Sequence, residues 1–225
     1  MSKVIKLENV SYQVMDGEKE KKVLSQINYT FSSSKITAIT GPSGSGKTTL
    51  LYALGGLLNH VDGNVYIDET SLYSLEEVTR DYFRKNNMSM IFQNYNLFSF
   101  MNVEDNILMP YYVKKKDVEN EVKSKCLHYL EKFGLGDIRK RTITSLSGGE
   151  QQRIAIIRSI IDNPGIILCD EPTANLDKEN TEKFMSMLTQ MVNEVNSTVI
   201  IVSHDEEVCQ YADNVLCIVD GKIGN

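Results

Sequence analysis

The sequence predicts an α/β protein with a mostly parallel sheet, an antiparallel β-subdomain at the N-terminus and an inserted helical subdomain. Three observations support this. Five short runs, apolar on both faces, alternate with helical stretches, as buried parallel strands do. Near the N-terminus two runs of alternating polarity flank a polar turn, the pattern of a hairpin. From about Tyr95 to Asn163 the 3.6-residue period dominates and no strand is evident.

The hairpin is read over VIKLENVSYQV (Val4–Val14) and KVLSQINYTF (Lys22–Phe31), with DGEKEKK as a solvated turn. The parallel strands are read at KITAIT (Lys35–Thr40), MSMIF (Met88–Phe92), IILCD (Ile166–Asp170), TVIIVS (Thr198–Ser203) and VLCIV (Val215–Val219). Helices are expected over Thr48–Leu58 and Glu179–Val195. Within the helical region Val118, Val122, Cys126, Leu130 and Phe133 share one face at roughly i, i+4 spacing. Lys114–Lys116 reads as a solvated loop. No Pro/Gly/Ser-rich linker or repeat divides the chain, so a single domain is expected over 1–225. Its core comprises 1–93 and 164–225, and its helical subdomain 94–163.

Of the 225 residues 41% are hydrophobic and 24% charged, which suits a globular domain with a substantial core. The net charge of −6 supplies no basic field, so nucleic acid is not an expected partner. No apolar run approaches the roughly 18–20 residues that cross a bilayer, and MSKVIKLENV lacks the apolar stretch of a signal peptide. The expected location is the cytoplasm, docked on another component. Cys126, Cys169, Cys209 and Cys217 form no CxxC pair and no His-rich cluster, so they are read as reduced thiols.

Chemistry concentrates at the strand ends. Gly41–Thr48 fits G-x-x-x-x-G-K-[ST] between a strand and a helix, the context a P-loop requires. Gly44 and Gly46 let backbone amides curl around phosphate oxygens, Lys47 brings a cation and Thr48 a hydroxyl for Mg²⁺. The phosphate-binding set is Gly41, Ser43, Gly44, Ser45, Gly46, Lys47, Thr48 and Thr49. Asp170 and Glu171 end the strand IILCD; Asp170 suits direct or water-mediated Mg²⁺ binding, Glu171 polarisation of an attacking water. Alternation along the strand is expected to aim the two acids apart. Gln93, after MSMIF, can bind Mg²⁺ or position water. His204, after TVIIVS, can bond a γ-phosphate or orient Glu171. Tyr12, read as ending the first strand, can stack on a nucleobase. Ser145–Arg153, SLSGGEQQR, opens a further helix. Ser147 and Glu150 form a capping box, and Gly148 and Gly149 leave its amides bare for an anion.

In order, Tyr12, GPSGSGKTT, Gln93, LSGGEQ, ILCDEP, ANLD (Ala174–Asp177) and His204 resemble the motifs of the nucleotide-binding subunit of an ABC transporter, over the whole chain. The resemblance implies an ATPase using ATP and Mg²⁺, two copies facing head to tail, and a transmembrane permease partner at the cytoplasmic face of a bacterial membrane. It also implies that Ser147, Gly148, Gly149 and Glu150 of one copy meet the γ-phosphate held by the other. FQNYNLFSFMNVEDNILMPYY (Phe92–Tyr112) is similar to the branch with macrolide exporters, lipoprotein-release machines, bacitracin-resistance transporters and the cell-division complex. The ending at Asn225 fits that branch. Phe98–Phe100 departs from its usual Leu-Pro pair, in a loop that faces the permease. Export or force transmission is the expected task. Other readings are an ATPase regulating a membrane partner that transports nothing, or a soluble ABC ATPase such as an iron–sulfur assembly factor.

Removing the Lys47 cation leaves the phosphate charge uncompensated. Lys47→Ala should therefore weaken binding of a fluorescent ATP analogue by at least about 10²-fold, the scale of deleting one member of a buried charge pair. Wild-type affinity in that titration would sink the P-loop assignment.

Overall fold

The computed structural model describes residues 2–17 and 19–224; Met1, Asn225 and Glu18, which the sequence assigns to the turn, lie outside them. In chain order the strands are β1 (Ile5–Asp16), β2 (Lys19–Phe31), β3 (Ile36–Thr40), β4 (Asp62–Ile67), β5 (Thr70–Ser71), β6 (Met88–Ile91), β7 (Ile166–Asp170), β8 (Thr198–Val202), β9 (Asn214–Val219) and β10 (Lys222–Ile223). The helices are α1 (Lys47–Leu54), α2 (Glu77–Asn87), α3 (Val103–Val113), α4 (Asn120–Lys132), α5 (Gly148–Ile160), α6 (Lys178–Val195) and α7 (Glu206–Gln210).

One sheet is antiparallel in the order β2-β1-β4-β5. The other runs β10-β9-β3-β8-β7-β6 and is parallel except at β10. Its central strands β3, β7 and β8 are buried because each face feeds a different core, whereas the outer β9, expected to be buried on both faces, leaves Val215 and Val219 exposed. Ile167, Cys169, Val199 and Ile201 point into a cluster with Ile107, Ile156 and Leu188 from α3, α5 and α6. The alternate residues Ile166, Leu168, Ile200 and Val202 join Leu50 and Leu54 of α1 with Ile5 and Phe31 of the antiparallel sheet. That is period-2 alternation between two apolar layers.

The expected α/β class and its strands appear, with several differences. The strand holding Tyr12 continues to Asp16, so Tyr12 lies inside β1 rather than at its end. The DGEKEKK lysines are exposed as expected, but β2 begins at Lys19, so Lys19 and Lys21 belong to the strand and not to the turn. Helix α1 stops at Leu54, short of Leu58, because Gly56 turns left-handed at φ 63° while the Gly55 amide closes on Leu51. Lys114 is not solvated: its side chain is 9% exposed and pairs with Asp162, itself 11% exposed, which also takes Lys116. The predicted face of α4 holds, with Cys126 and Leu130 buried and Val118, Val122 and Phe133 packed beside them. No helix among the described residues is long and apolar enough to cross a membrane.

Two details fix the loops beside the parallel sheet. Asn106 of α3 is fully buried; its side chain accepts from the Phe98 amide at 2.8 Å and donates to the Phe98 carbonyl at 3.0 Å, which pins the chain after β6. Gly41, leaving β3, has φ 140°, and a Cβ there would stand 2.0 Å from the Ile218 carbonyl oxygen of β9. Burial pushes the Cys126 thiol up to about 12 and raises Cys169 further.

Gly41→Ala should cost about 2–4 kcal/mol, since backbone must move to admit the methyl. A melting curve should show a midpoint lower by about 5–15 °C; an unchanged midpoint would mean that the approach of β9 is not fixed. In the folded protein iodoacetamide at pH 8 should modify the part-exposed Cys217 and Cys209 and spare Cys126 and Cys169 until denaturant is added. Peptide mass spectrometry reads this directly, and early labelling of Cys169 would contradict the buried position of β7.

Candidate nucleotide site

The parallel register brings the C-terminal ends of β3, β8, β7 and β6 to one edge, where open α/β sheets bind ligands. From β3 the chain enters α1 through Gly41–Gly46. Gly41, Gly44 and Gly46 all take positive φ, and a Cβ at Gly46 would press on the Val23 carbonyl of β2 at 2.8 Å. Lys47 is 7% exposed, and its ammonium donates to the carbonyls of Gly41 and Pro42 at 2.8 Å each. The Ser45 hydroxyl is buried and has no hydrogen-bond partner among the described residues. An orphaned donor and a buried cation, inside a loop whose glycine at 44 has open space beside it, make a cradle that fits phosphate oxygens.

A cleft of about 560 Å³ gathers Ser43, Gly44, Gly46, Lys47, Thr48 and Thr49 with Glu171 and His204; Val23 forms its remaining wall. Asp170 lies just beneath. Its carboxylate accepts from Thr48 Oγ1 at 3.0 Å and from Tyr52 OH at 2.9 Å. Burial, then the bond to Asp170, raise the Tyr52 phenol above its ordinary pKa. The two acids diverge, but alternation alone is not the cause. Glu171 has φ 45°, a strained value for a non-glycine residue, while its amide still bonds the Val202 carbonyl of β8 at 3.0 Å. This turn sends the carboxylate into the cleft, with Oε2 3.4 Å from His204 Nδ1. An acid and an imidazole at the mouth of a phosphate cradle can orient and deprotonate a water.

The other predicted residues stand apart from the cleft. Tyr12 sits opposite Leu24 in the hairpin, half-buried against the core, and does not line it. Gln93 is exposed in the loop after β6 and does not line it either. That loop is held elsewhere. Tyr95 and Asn96 have φ 58° and 45°, and Arg158 of α5 donates to both their carbonyls, at 2.7 Å for Asn96. Tyr95 OH reaches the Pro172 carbonyl at 3.4 Å. Burial lowers Arg158 to about 10, so it remains cationic at neutral pH. Sequence reading missed Arg158 and Tyr52. Tyr52 lies one helical turn beyond Thr48, and that i, i+4 spacing was the available signal.

At the start of α5 the capping box forms. Ser147 Oγ accepts from the Glu150 amide at 3.3 Å, and Glu150 Oε2 accepts from the Ser147 amide and hydroxyl at 2.7 Å each. Those bonds hold the Glu150 carboxyl below its usual range. Ser147 and Gly148 are exposed, and neither they nor Gly149 and Glu150 line the cleft. A Cβ at Gly148 would meet nothing within 4 Å, and one at Gly149 only the Arg153 guanidinium at 3.9 Å. Nothing among the described residues therefore requires glycine at these positions by close contact.

Comparison with known proteins adds the family. Residues 24–174 match the model of the ABC transporter family. The lipoprotein-releasing system ATP-binding protein LolD of Acinetobacter baylyi is 32% identical across 98% of this chain and 97% of its own. The ABC transporter ATP-binding protein MJ0796 of Methanocaldococcus jannaschii is 33% identical across 98% of this chain and 95% of its own. A structure of MJ0796, dimeric in a post-hydrolysis state with ADP and Pi, superposes with a TM-score of 0.87 at 32% identity, covering 98% of this chain and 97% of that one. With its P-loop cleft on an α/β sheet and these relatives along its whole length, the chain belongs to the ABC transporter family and is an ATP-hydrolysing cassette.

Proposed function

We propose that this cassette works as a homodimer that closes around two ATP and powers a membrane permease, in export or in force transmission, from the cytoplasmic face. The observation that carries the dimer is the pair Gly148–Gly149. Gly148 is exposed, neither glycine lines the cleft of its own chain, and the space beside both is open, so it suits a partner's phosphate. The dimeric MJ0796 structure with ADP and Pi supports the same reading.

In this reading Gly41–Thr49 cradle the nucleotide's phosphates, Lys47 offsets their charge, Val23 forms the facing wall, and Tyr12, outside the cleft here, would stack on a base that extends past it. Thr48 and Asp170 would hold Mg²⁺, directly or through water, and Gln93, outside the cleft here, would join them only if its loop swings inward; the ion would neutralise phosphate charge. Glu171 takes a proton from water, and His204 keeps that carboxylate oriented. Ser147, Gly148, Gly149 and Glu150 of the partner add donors at the γ-phosphate. Such trans elements are worth about 10³–10⁵ in rate in other phosphoryl-transfer enzymes.

The helical subdomain, 94–163, would turn with the nucleotide and move the permease. A groove of about 610 Å³ beside it, lined by Met90, Phe92, Phe98, Met109, Pro110 and Val113, supports a permease segment docking there. Phe100, 79% exposed, stacks edge-on against Phe98 near its rim.

The dimer logic is tested by two variants. Glu171→Gln keeps shape and removes the base, so ATP binding should persist while hydrolysis falls by about 10²–10⁴-fold. With Mg²⁺ and ATP this variant should elute as a dimer on size-exclusion chromatography. Adding Ser147→Arg should return it to monomer, because bulk and charge fill the open helix end. A double variant that dimerised as tightly as the single one would overturn the trans-phosphate reading.

A further inference from the structure

We propose that Tyr52 is a positioning residue for the divalent-cation site: its hydroxyl locks the Asp170 carboxylate in the orientation that faces the metal. This rests on the reading of Asp170 and Thr48 as the residues that hold Mg²⁺.

Thr48 and Tyr52 lie four residues apart on α1, so their side chains share one face of the helix. Each donates to a different oxygen of the same carboxylate, at 3.0 Å to Oδ1 and 2.9 Å to Oδ2. An ionised carboxylate offers about four acceptor positions. Two of Asp170's are therefore occupied by hydroxyls of α1, and two are left for the metal or its waters. The terminal torsion of an aspartate is broad and roughly two-fold. One tether, at Thr48, leaves that rotation open. A second tether on the opposite oxygen closes it. The Tyr52 ring packs against the apolar layer between α1 and the antiparallel sheet, so the hydroxyl is itself held in place. Thr48 would bind the metal as well as Asp170, and so cannot be a fixed anchor; Tyr52 does not line the cleft and can. Outer partners of this kind typically set metal affinity by about 10–100-fold.

The alternative is that Tyr52 merely braces α1 against β7. The test uses the whole chain and Tyr52→Phe, which keeps the ring and removes the bond. A fluorescent ATP analogue is titrated in EDTA and then at rising Mg²⁺, and Mn²⁺ binding to the nucleotide-loaded protein is followed by electron paramagnetic resonance. We expect the half-saturating Mg²⁺ and Mn²⁺ concentrations to rise about 10-fold, with affinity in EDTA within about twofold of wild type. Asp170→Asn should raise the metal requirement at least as far, and adding Tyr52→Phe to it should change little more, since the two act through one carboxylate. If Asp170→Asn raises the requirement and Tyr52→Phe does not, or if Tyr52→Phe weakens nucleotide equally in EDTA and Mg²⁺, the positioning role is overturned and the metal reading stands. If Asp170→Asn leaves the requirement unchanged, the metal reading itself fails and the role of Tyr52 falls with it.

Discussion

The cleft depends on β3, β8 and β7 lying parallel and in register between two apolar layers. With both faces covered, the only route for polar chemistry is outward along the strand axes. The chain therefore spends its functional residues within a few positions of each strand end. Ile39 pairs with Val202, and Val202 with Asp170. The P-loop, His204 and Glu171 consequently start from one level of the sheet. A slip of one residue in any of these strands would reverse which side chains enter which layer and break both cores at once. The same constraint that holds the fold together thus fixes the register of the site.

Backbone conformation then does what side-chain choice alone cannot. Glu171 leaves β7 in the left-handed region, and a hydrogen bond to β8 keeps it there. Such conformations survive only where the surroundings over-determine them. Here the neighbours are a fully buried strand on one side and the Tyr95–Pro172 contact on the other. Asp170, one residue earlier, is held by α1 instead. Two adjacent carboxylates of the same charge are separated by anchoring them to different elements.

How much could be read in advance follows from these forces. Strands β3, β7 and β8 were legible because burial on both faces leaves an uninterrupted apolar run. The P-loop and the capping box were legible because their residue types have few other uses. Strand β4 was not, since DGNVYI is short and only Val65 and Ile67 are buried. Helix α2 was missed as well: EVTRDYFRKNN is mostly polar and buries only Arg80, while its apolar Val78 and Tyr82 stay exposed. Lys114 looked solvated because its partner Asp162 lies 48 residues away. Tyr52 passed for one more residue on an apolar helix face, because a hydroxyl's partner cannot be read from a one-dimensional pattern.

Arg158 has a mechanical consequence. Its guanidinium grips the Tyr95 and Asn96 carbonyls, in two residues already in left-handed strain, so the loop has no cheap way to let go. From Ser147 to Arg158 the helix is a stiff rod of about 16 Å at 1.5 Å per residue. A pull on the rod's open end would reach the Gln93 loop through these two bonds, next to Phe92 and Phe98 on the wall of the neighbouring groove. Sheet edge, rod and groove would then act as a crankshaft in which one arginine is the pin.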